Sequence, residues 1–361
     1  MVAYLGAVPD RLRRGDISQS GGVGILIVVT AIWGTTFPFL KTLGESLPPE
    51  AIVAARFAIA SIVFLPWLRG IDRTRLVHGS ILGVVAFASY AAQTIGLRSV
   101  SSGRAAFVTG LNVIMVPLAL PFLGRRLSRF AVVSAVLATT GIALLSWDAD
   151  ALRFGVGDVW VLGCALAYAA YVLFLERFAP QHRVIDLTAV QVCAVAVCGI
   201  IWALSTDRTA AVRALKRADA GTWFMLAYLA IVAVAFTMLL QTKAQKVVTA
   251  TAAVLVYSLE PVFGAAASYV WRNERLAPLG YLGAVFVVAA MILSQRHPGE
   301  DGDPDATAVI VASHYARCAR RKRYERVPNR APRPATTRRK SATVSAIMAA
   351  TGRTDSIRPA T

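Results

Sequence analysis

Along the chain, apolar blocks of about twenty residues alternate with short stretches where charges, glycines and prolines collect. A block of that length, wound as helix, crosses a hydrocarbon core of about 30 Å. The punctuation predicts spans over 24–43, 49–68, 78–97, 104–123 and 129–147, then over 156–175, 185–205, 221–242, 249–270 and 277–295. The expected fold is all-α, a polytopic membrane bundle of about ten transmembrane helices. Short connections make consecutive spans antiparallel neighbours, and only a compact bundle satisfies backbone polar groups away from water.

The pattern also repeats. Gln93-Thr94 and Val100 align with Gln241-Thr242 and Val248, and Gly110-Leu111-Asn112 aligns with Ser258-Leu259-Glu260, an offset of about 148 residues. After one gap, Arg126-Leu127 stands opposite Arg275-Leu276, each ahead of a closing apolar helix. A unit of five spans is odd, so its two copies enter the membrane in opposite orientation, the inverted-repeat arrangement of many transporters. The expected organisation is an N-terminal segment 1–22, a first repeat 23–148, a second repeat 149–296 and a tail 297–361.

Composition agrees with a membrane chain: 56% of the 361 residues are hydrophobic and 16% are charged, against about 25% charged in soluble domains. Arg11, Arg13 and Arg14 precede an apolar run with no small-residue cleavage site, which reads as a retained first span. Those arginines, with Arg69, Arg73, Arg75, Arg125, Arg126 and Arg129, fall on one side and mark it as cytoplasmic. The opposite side holds Lys41, Arg98, Arg104 and Arg153, although the loop from Thr206 to Ala220 adds Arg208, Arg213, Lys216 and Arg217 and weakens the asymmetry. An even span count puts both termini in the cytoplasm, the expected location being the inner (plasma) membrane. The tail, rich in Arg, Lys, Pro, Ser and Thr, has too few large apolar groups to offset its ordering entropy and is expected to be disordered. Its charge reads as a solvated topology anchor or as a contact for anionic lipid headgroups; nucleic acid is not an expected partner.

The run Trp33-Gly34-Thr35-Thr36-Phe37-Pro38-Phe39-Leu40-Lys41, followed by Leu47-Pro48-Pro49 and Ala55-Arg56-Phe57, resembles the opening of EamA-like members of the drug/metabolite transporter superfamily. Gly157-Asp158 leading into Ala165-Leu166-Ala167-Tyr168, and Leu259-Glu260-Pro261-Val262 ahead of Asn273-Glu274-Arg275-Leu276, resemble the second-repeat landmarks of that family. The resemblance runs from about Gly22 to Gln295. It departs at Gly124-Arg125-Arg126-Leu127, where the family commonly has an acidic residue after the glycine. It implies a ten-helix permease for small metabolites, often amino acids or related compounds, commonly moved outward.

Candidate binding residues are the polar and aromatic ones inside apolar blocks. Glu260 is expected near the middle of its span, where a carboxylate is costly in lipid and faces protein or water; it is read as exchanging a proton, binding a cationic group, or making a structural hydrogen bond. Arg56, two turns into its span, could hold a substrate carboxylate, neutralise an acid within the bundle, or snorkel to the interface. Trp33, Tyr90, Tyr168, Tyr171 and Tyr257 could line an aromatic cavity or simply pack. Gln93, Asn112 and Gln241 supply amides that read first as links between helices. Gly34 and Pro38 are expected to loosen or kink the first span.

The expected function is a secondary transporter working by alternating access, with export by proton antiport as one coupling. The alternative is a membrane sensor or interaction protein whose basic tail recruits a partner. The expected partners are a small-molecule substrate and the bilayer, with a homodimer left open. Gly155-Val156-Gly157-Asp158 fits the GxGD string of intramembrane aspartic proteases, yet no second aspartate sits in an apolar block. His78, His182, His297 and His314 lie in loops or the tail, there is no HExxH or P-loop, and Cys164, Cys193, Cys198 and Cys318 have no metal-ligand spacing. No enzyme activity, metal or cofactor is therefore expected.

Overall fold

The structure is a computed structural model describing residues 17–100, 102–125, 127–145, 155–206, 208–272 and 278–296. The expectations for Arg11, Arg13, Arg14, Arg126, Arg153, Asn273–Leu276 and the tail from 297 lie outside the described residues. In chain order the helical segments are α1 (Gln19–Ser46), α2 (Pro49–Leu68), α3 (Arg73–Gly96), α4 (Arg104–Ala119), α5 (Arg129–Leu145), α6 (Val156–Gln181), α7 (Val184–Ser205), α8 (Arg208–Arg217), α9 (Ala220–Ala244), α10 (Ala250–Ala267) and α11 (Pro278–Ser294). Among the described residues there is no strand. Seven of these segments, α1, α2, α3, α6, α7, α9 and α10, are long and apolar enough to cross a membrane, and α4, α5 and α11 are shorter apolar helices. The chain is a multi-pass membrane protein.

Three boundaries differ from the sequence expectation, each for a local reason. Helix α1 begins at Gln19, inside the expected N-terminal segment, because the Ser18 hydroxyl accepts from Gly21 N at 3.1 Å. Helix α3 starts at Arg73 rather than near 78, because Asp72 accepts from the backbone N–H of Arg75 at 2.7 Å and a capped polar turn precedes the apolar stretch. The expected loop 206–220 contains a helix, α8. Its Ala, Leu, Arg and Lys residues are strong helix formers, and it buries Ala211 while exposing Arg213, Lys216 and Arg217.

Helix α5 packs along α11, α2 along α7, and α3 against both α6 and α7; α1 meets α9 and α10, while α4 meets α5, α6 and α10. Small residues let the backbones approach, as membrane helices require in the absence of a hydrophobic drive between them. At the α5–α11 crossing, a Cβ on Gly141 would lie 2.7 Å from the Gly283 carbonyl oxygen, 2.8 Å from Val287 Cγ2 and 2.9 Å from Val287 N, so the backbone itself would have to shift. The outward faces are apolar instead of polar: Ile62, Val84, Leu166 and Val285 are all exposed.

Charges sit at the ends of the helices, in pairs. Arg75 donates to Asp186 at 2.8 Å, linking α3 to α7, and Arg125, just beyond α4, donates to Glu176 of α6 at 2.8 Å. At the other end of α4 and α6, Arg104 holds Asp158 through two nitrogens, Nη2 to Oδ2 at 3.0 Å. Beside the Arg75–Asp186 pair, His78 and His182 share a hydrogen bond of 2.8 Å, and His78 stacks on Phe178 at 4.0 Å. Burial above all, then the His78 ring and the cationic Arg75 and Lys246, against an opposing pull from Asp72, push the pKa of His182 down to about 4.

Gly141→Ala is expected to cost about 1–3 kcal/mol of stability by overpacking, read by thermal unfolding of purified protein. Gly24→Ala, where a Cβ meets nothing within 4 Å, is the neutral control. Because the folded pKa of His182 lies below its unfolded value near 6.5, its contribution is present above pH 6.5 and is lost as pH falls toward 4. The melting temperature should accordingly drop between those pH values, and His182→Gln should flatten that drop.

Candidate functional site

The middle of the bundle is built around interrupted helices. In α1 the regular turns stop at Thr35, between Gln19–Gly34 and Thr36–Ser46. The Thr35 hydroxyl donates to Ile32 O at 2.7 Å and Thr36 Oγ1 to Trp33 O at 2.8 Å, the kind of local bonding that bends a helix. Pro38 then falls in the first turn of the second piece, where its missing N–H costs nothing. Helix α10 is interrupted at Ser258-Leu259, ahead of Glu260-Pro261, and α4 at Leu111, ahead of Asn112. Pro261 has no N–H to continue the ladder, a reason for the α10 break that the Glu-Pro pair carries in itself. The breaks in α1 and α10 meet: a Cβ on Gly34 would lie 2.8 Å from Gly264 N and 3.0 Å from Glu260 O.

Glu260 therefore stands in the first turn of a half-helix, and not in the middle of a continuous one as its position in the apolar block had implied. An N-terminal carboxylate faces the positive end of the helix dipole.

A fourth irregularity lies in α9, where Ile231–Phe236 form a widened π turn. Trp33 Nε1 reaches it from α1, donating to Ala233 O at 3.3 Å and to Thr237 Oγ1 at 3.1 Å. The Trp33 ring lies 5.3 Å from Tyr257 and 6.0 Å from Tyr168, with Tyr168 5.8 Å from Tyr171 and 5.9 Å from Tyr257. The polar tips of these rings are engaged. Gln241 Nε2 donates to the Tyr168 hydroxyl at 3.0 Å and to Gln245 Oε1 at 3.3 Å, Tyr257 donates to Gln245 Oε1 at 3.4 Å, and Gln245 Nε2 donates to Val172 O at 3.2 Å. A second chain runs from Tyr171 to Gln191 Oε1 at 2.9 Å and from Gln191 Nε2 to Thr242 Oγ1 at 2.9 Å.

On the other side, Arg56 of α2 is 3% exposed and does not snorkel to the interface. Its guanidinium carbon lies 5.0 Å from the Tyr90 ring centre and 5.5 Å from that of Phe57. Tyr90, Tyr168 and Glu260 keep some accessible surface while Trp33, Tyr171, Gln241 and Tyr257 are buried, so the accessible groups rest on a packed aromatic and amide wall.

The structure thus brings together Trp33, Tyr168, Tyr171, Tyr257 and Gln241, and separately sets Arg56 against Tyr90 and Phe57. Gln93 is partly buried and Asn112 is buried, and neither side chain hydrogen-bonds another described residue. Gln191, Thr237, Thr242 and Gln245 were missed by the sequence reading. The first could have been found as a lone amide in the apolar run from Leu187 to Val192; Gln245 reads as the end of a span. Asp158, the hook for a protease reading, caps α6 by accepting from Gly155 N at 2.7 Å and is held by Arg104. A separate cleft of about 570 Å³, lined by Ser46, Leu47, Arg213, Arg217 and Thr222 among others, contains none of the candidate residues.

Gln191→Leu should leave Tyr171 and Thr242 without their buried partner and cost about 1–3 kcal/mol; chemical unfolding in detergent would register it, and Gln93→Leu, which breaks no such chain, should change stability far less.

Comparison with known proteins gives a consistent relationship. The EamA-like transporter family matches residues 20–147 and again residues 155–295. An uncharacterized transporter of Archaeoglobus fulgidus is 29% identical over 294 residues, covering 78% of this chain and 91% of that protein. The uncharacterized transporter YyaM of Bacillus subtilis is 22% identical over 282 residues, covering 74% and 91%. A solved crystal structure superposes with a TM-score of 0.65 at 19% identity, covering 78% of this chain and 98% of the other, a likeness of fold alone.

Proposed function

The chain belongs to the EamA-like transporter family, and on that premise we propose that it is a secondary transporter of small metabolites, such as amino acids or related compounds, working by alternating access. Counting α4, α5 and α11 with the seven longer segments makes ten crossings, arranged as two inverted repeats, 23–148 and 149–296. The pairing of helices supports this. With α1 to α5 matched to α6, α7, α9, α10 and α11, the α1–α9 contact answers α6–α3, α2–α9 answers α7–α3, α4–α6 answers α10–α1, and α2–α7, α4–α10 and α5–α11 are each self-matched. The double match of the family to the two halves points the same way. The two repeats rock about the centre, where the interrupted helices lie. We place both termini in the cytoplasm of an inner-membrane protein, with the Arg75–Asp186 and Arg125–Glu176 pairs at the cytoplasmic end.

The observation that carries the proposal is Glu260. It heads a half-helix at the meeting of two breaks, keeps accessible surface, and has no ion-pair partner among the described residues. A carboxylate so placed can release its proton when the site opens to one side and regain it from the other, which is the step an antiporter needs. Trp33, Tyr90, Tyr168, Tyr171, Tyr257, Gln93, Asn112 and Gln241 are the proposed walls of the substrate site. No covalent chemistry is assigned to the chain.

The test is solute flux into proteoliposomes, over a panel of amino acids and related metabolites, with and without an imposed pH gradient. Wild type should give saturable flux that rises severalfold with the gradient, and Glu260→Gln should abolish the gradient response. A variant matching wild type would return Glu260 to a structural role.

A further inference from the structure

Three acids at the helix ends each have a cation: Asp158 has Arg104, Asp186 has Arg75, and Glu176 has Arg125. Arg56 is the opposite case. Its side chain is buried in the middle of α2, and Nε and Nη1 have no hydrogen-bond partner. No described acid forms an ion pair with it, so of the three readings its sequence position allowed, neutralisation of a protein carboxylate and snorkelling are both unsupported by the geometry. What surrounds it is aromatic: the rings of Tyr90 and Phe57, themselves 4.9 Å apart, offer a cation–π cradle. Such a cradle holds the guanidinium in place but leaves its N–H edge unsatisfied, and a desolvated cation in that state calls for an anion.

Resting on the transporter reading and deepening it, we infer that Arg56 is the specificity-determining residue for an anionic, carboxylate-class group on the solute. Each of the two unpartnered nitrogens, taken with Nη2, forms a planar two-pronged edge that matches the two oxygens of a carboxylate. The solute's anion completes the charge balance that the protein leaves open. An empty site then carries an uncompensated buried cation, and loading relieves it.

The experiment measures equilibrium binding and, separately, proteoliposome flux for matched pairs of probes: α-amino acids and simple carboxylic acids, each beside its uncharged amide. The wild type should favour the acid of a pair by at least tenfold in binding. Arg56→Gln should lose that preference by weakening the acid at least tenfold more than the amide, and Arg56→Lys, which keeps the charge but loses the fork, should retain part of it. Folding of each variant is checked by its elution profile and its thermal unfolding. An acid preference that persists in Arg56→Gln, or a wild type that binds acid and amide alike, overturns the inference. Selective acid binding without flux supports the role of Arg56 and overturns transport instead, so the two failures are separable.

Discussion

In a hydrocarbon environment every backbone N–H and C=O has to find its partner within the protein, and that requirement governs the rest of this structure. It makes the chain helical wherever lipid is the neighbour and confines irregular backbone to places where other helices cover it. The interruptions at Thr35, Leu111 and Ser258-Leu259 and the π turn at Ile231–Phe236 are such places. Threonine and serine hydroxyls bond to nearby carbonyls at two of the breaks, and Trp33 donates into the π turn from another helix. Because covered irregular backbone also presents polar groups inward, the same constraint that shapes the helices assembles the candidate site.

The distribution of charge follows from a related cost. Ion pairs gather where the helices end and water is near, and there they fasten neighbouring helices: α3 to α7, α4 to α6. In the middle, the charged groups at the candidate site are a cation cradled by aromatic rings and a carboxylate at a half-helix start. A structural ion pair would have joined them directly. Each is instead left without an ion-pair partner among the described residues, a costly arrangement for a buried charge.

The aromatic wall serves both arrangements. Tyr168, Tyr171 and Tyr257 present rings to Trp33 and to one another and direct their hydroxyls into the Gln241–Gln245 and Gln191–Thr242 chains. Satisfied amides of this kind give a firm backing, since few of the supporting polar groups are left seeking another partner.

Much of the architecture was legible in the residues. The all-helical, multi-pass character was legible because apolar blocks of membrane-crossing length depend on local composition, and local composition is what lipid selects. The identity of Trp33, Arg56 and Glu260 as candidates was legible for the same reason, because a polar or charged group in an apolar block is expensive anywhere in the membrane. Helix α8 was hidden, since charge alone reads as loop, and Gln191 and Gln245 were passed over because an amide gives no sign of its partner. That Glu260 heads a half-helix, that Gly34 meets it from α1, and that Arg56 lies against the Tyr90 ring with no ion-pair partner among the described residues were decided only by the tertiary structure. Those facts arise from contacts between residues far apart in the chain, and burial cost constrains which residues must find neighbours without naming which neighbours they find.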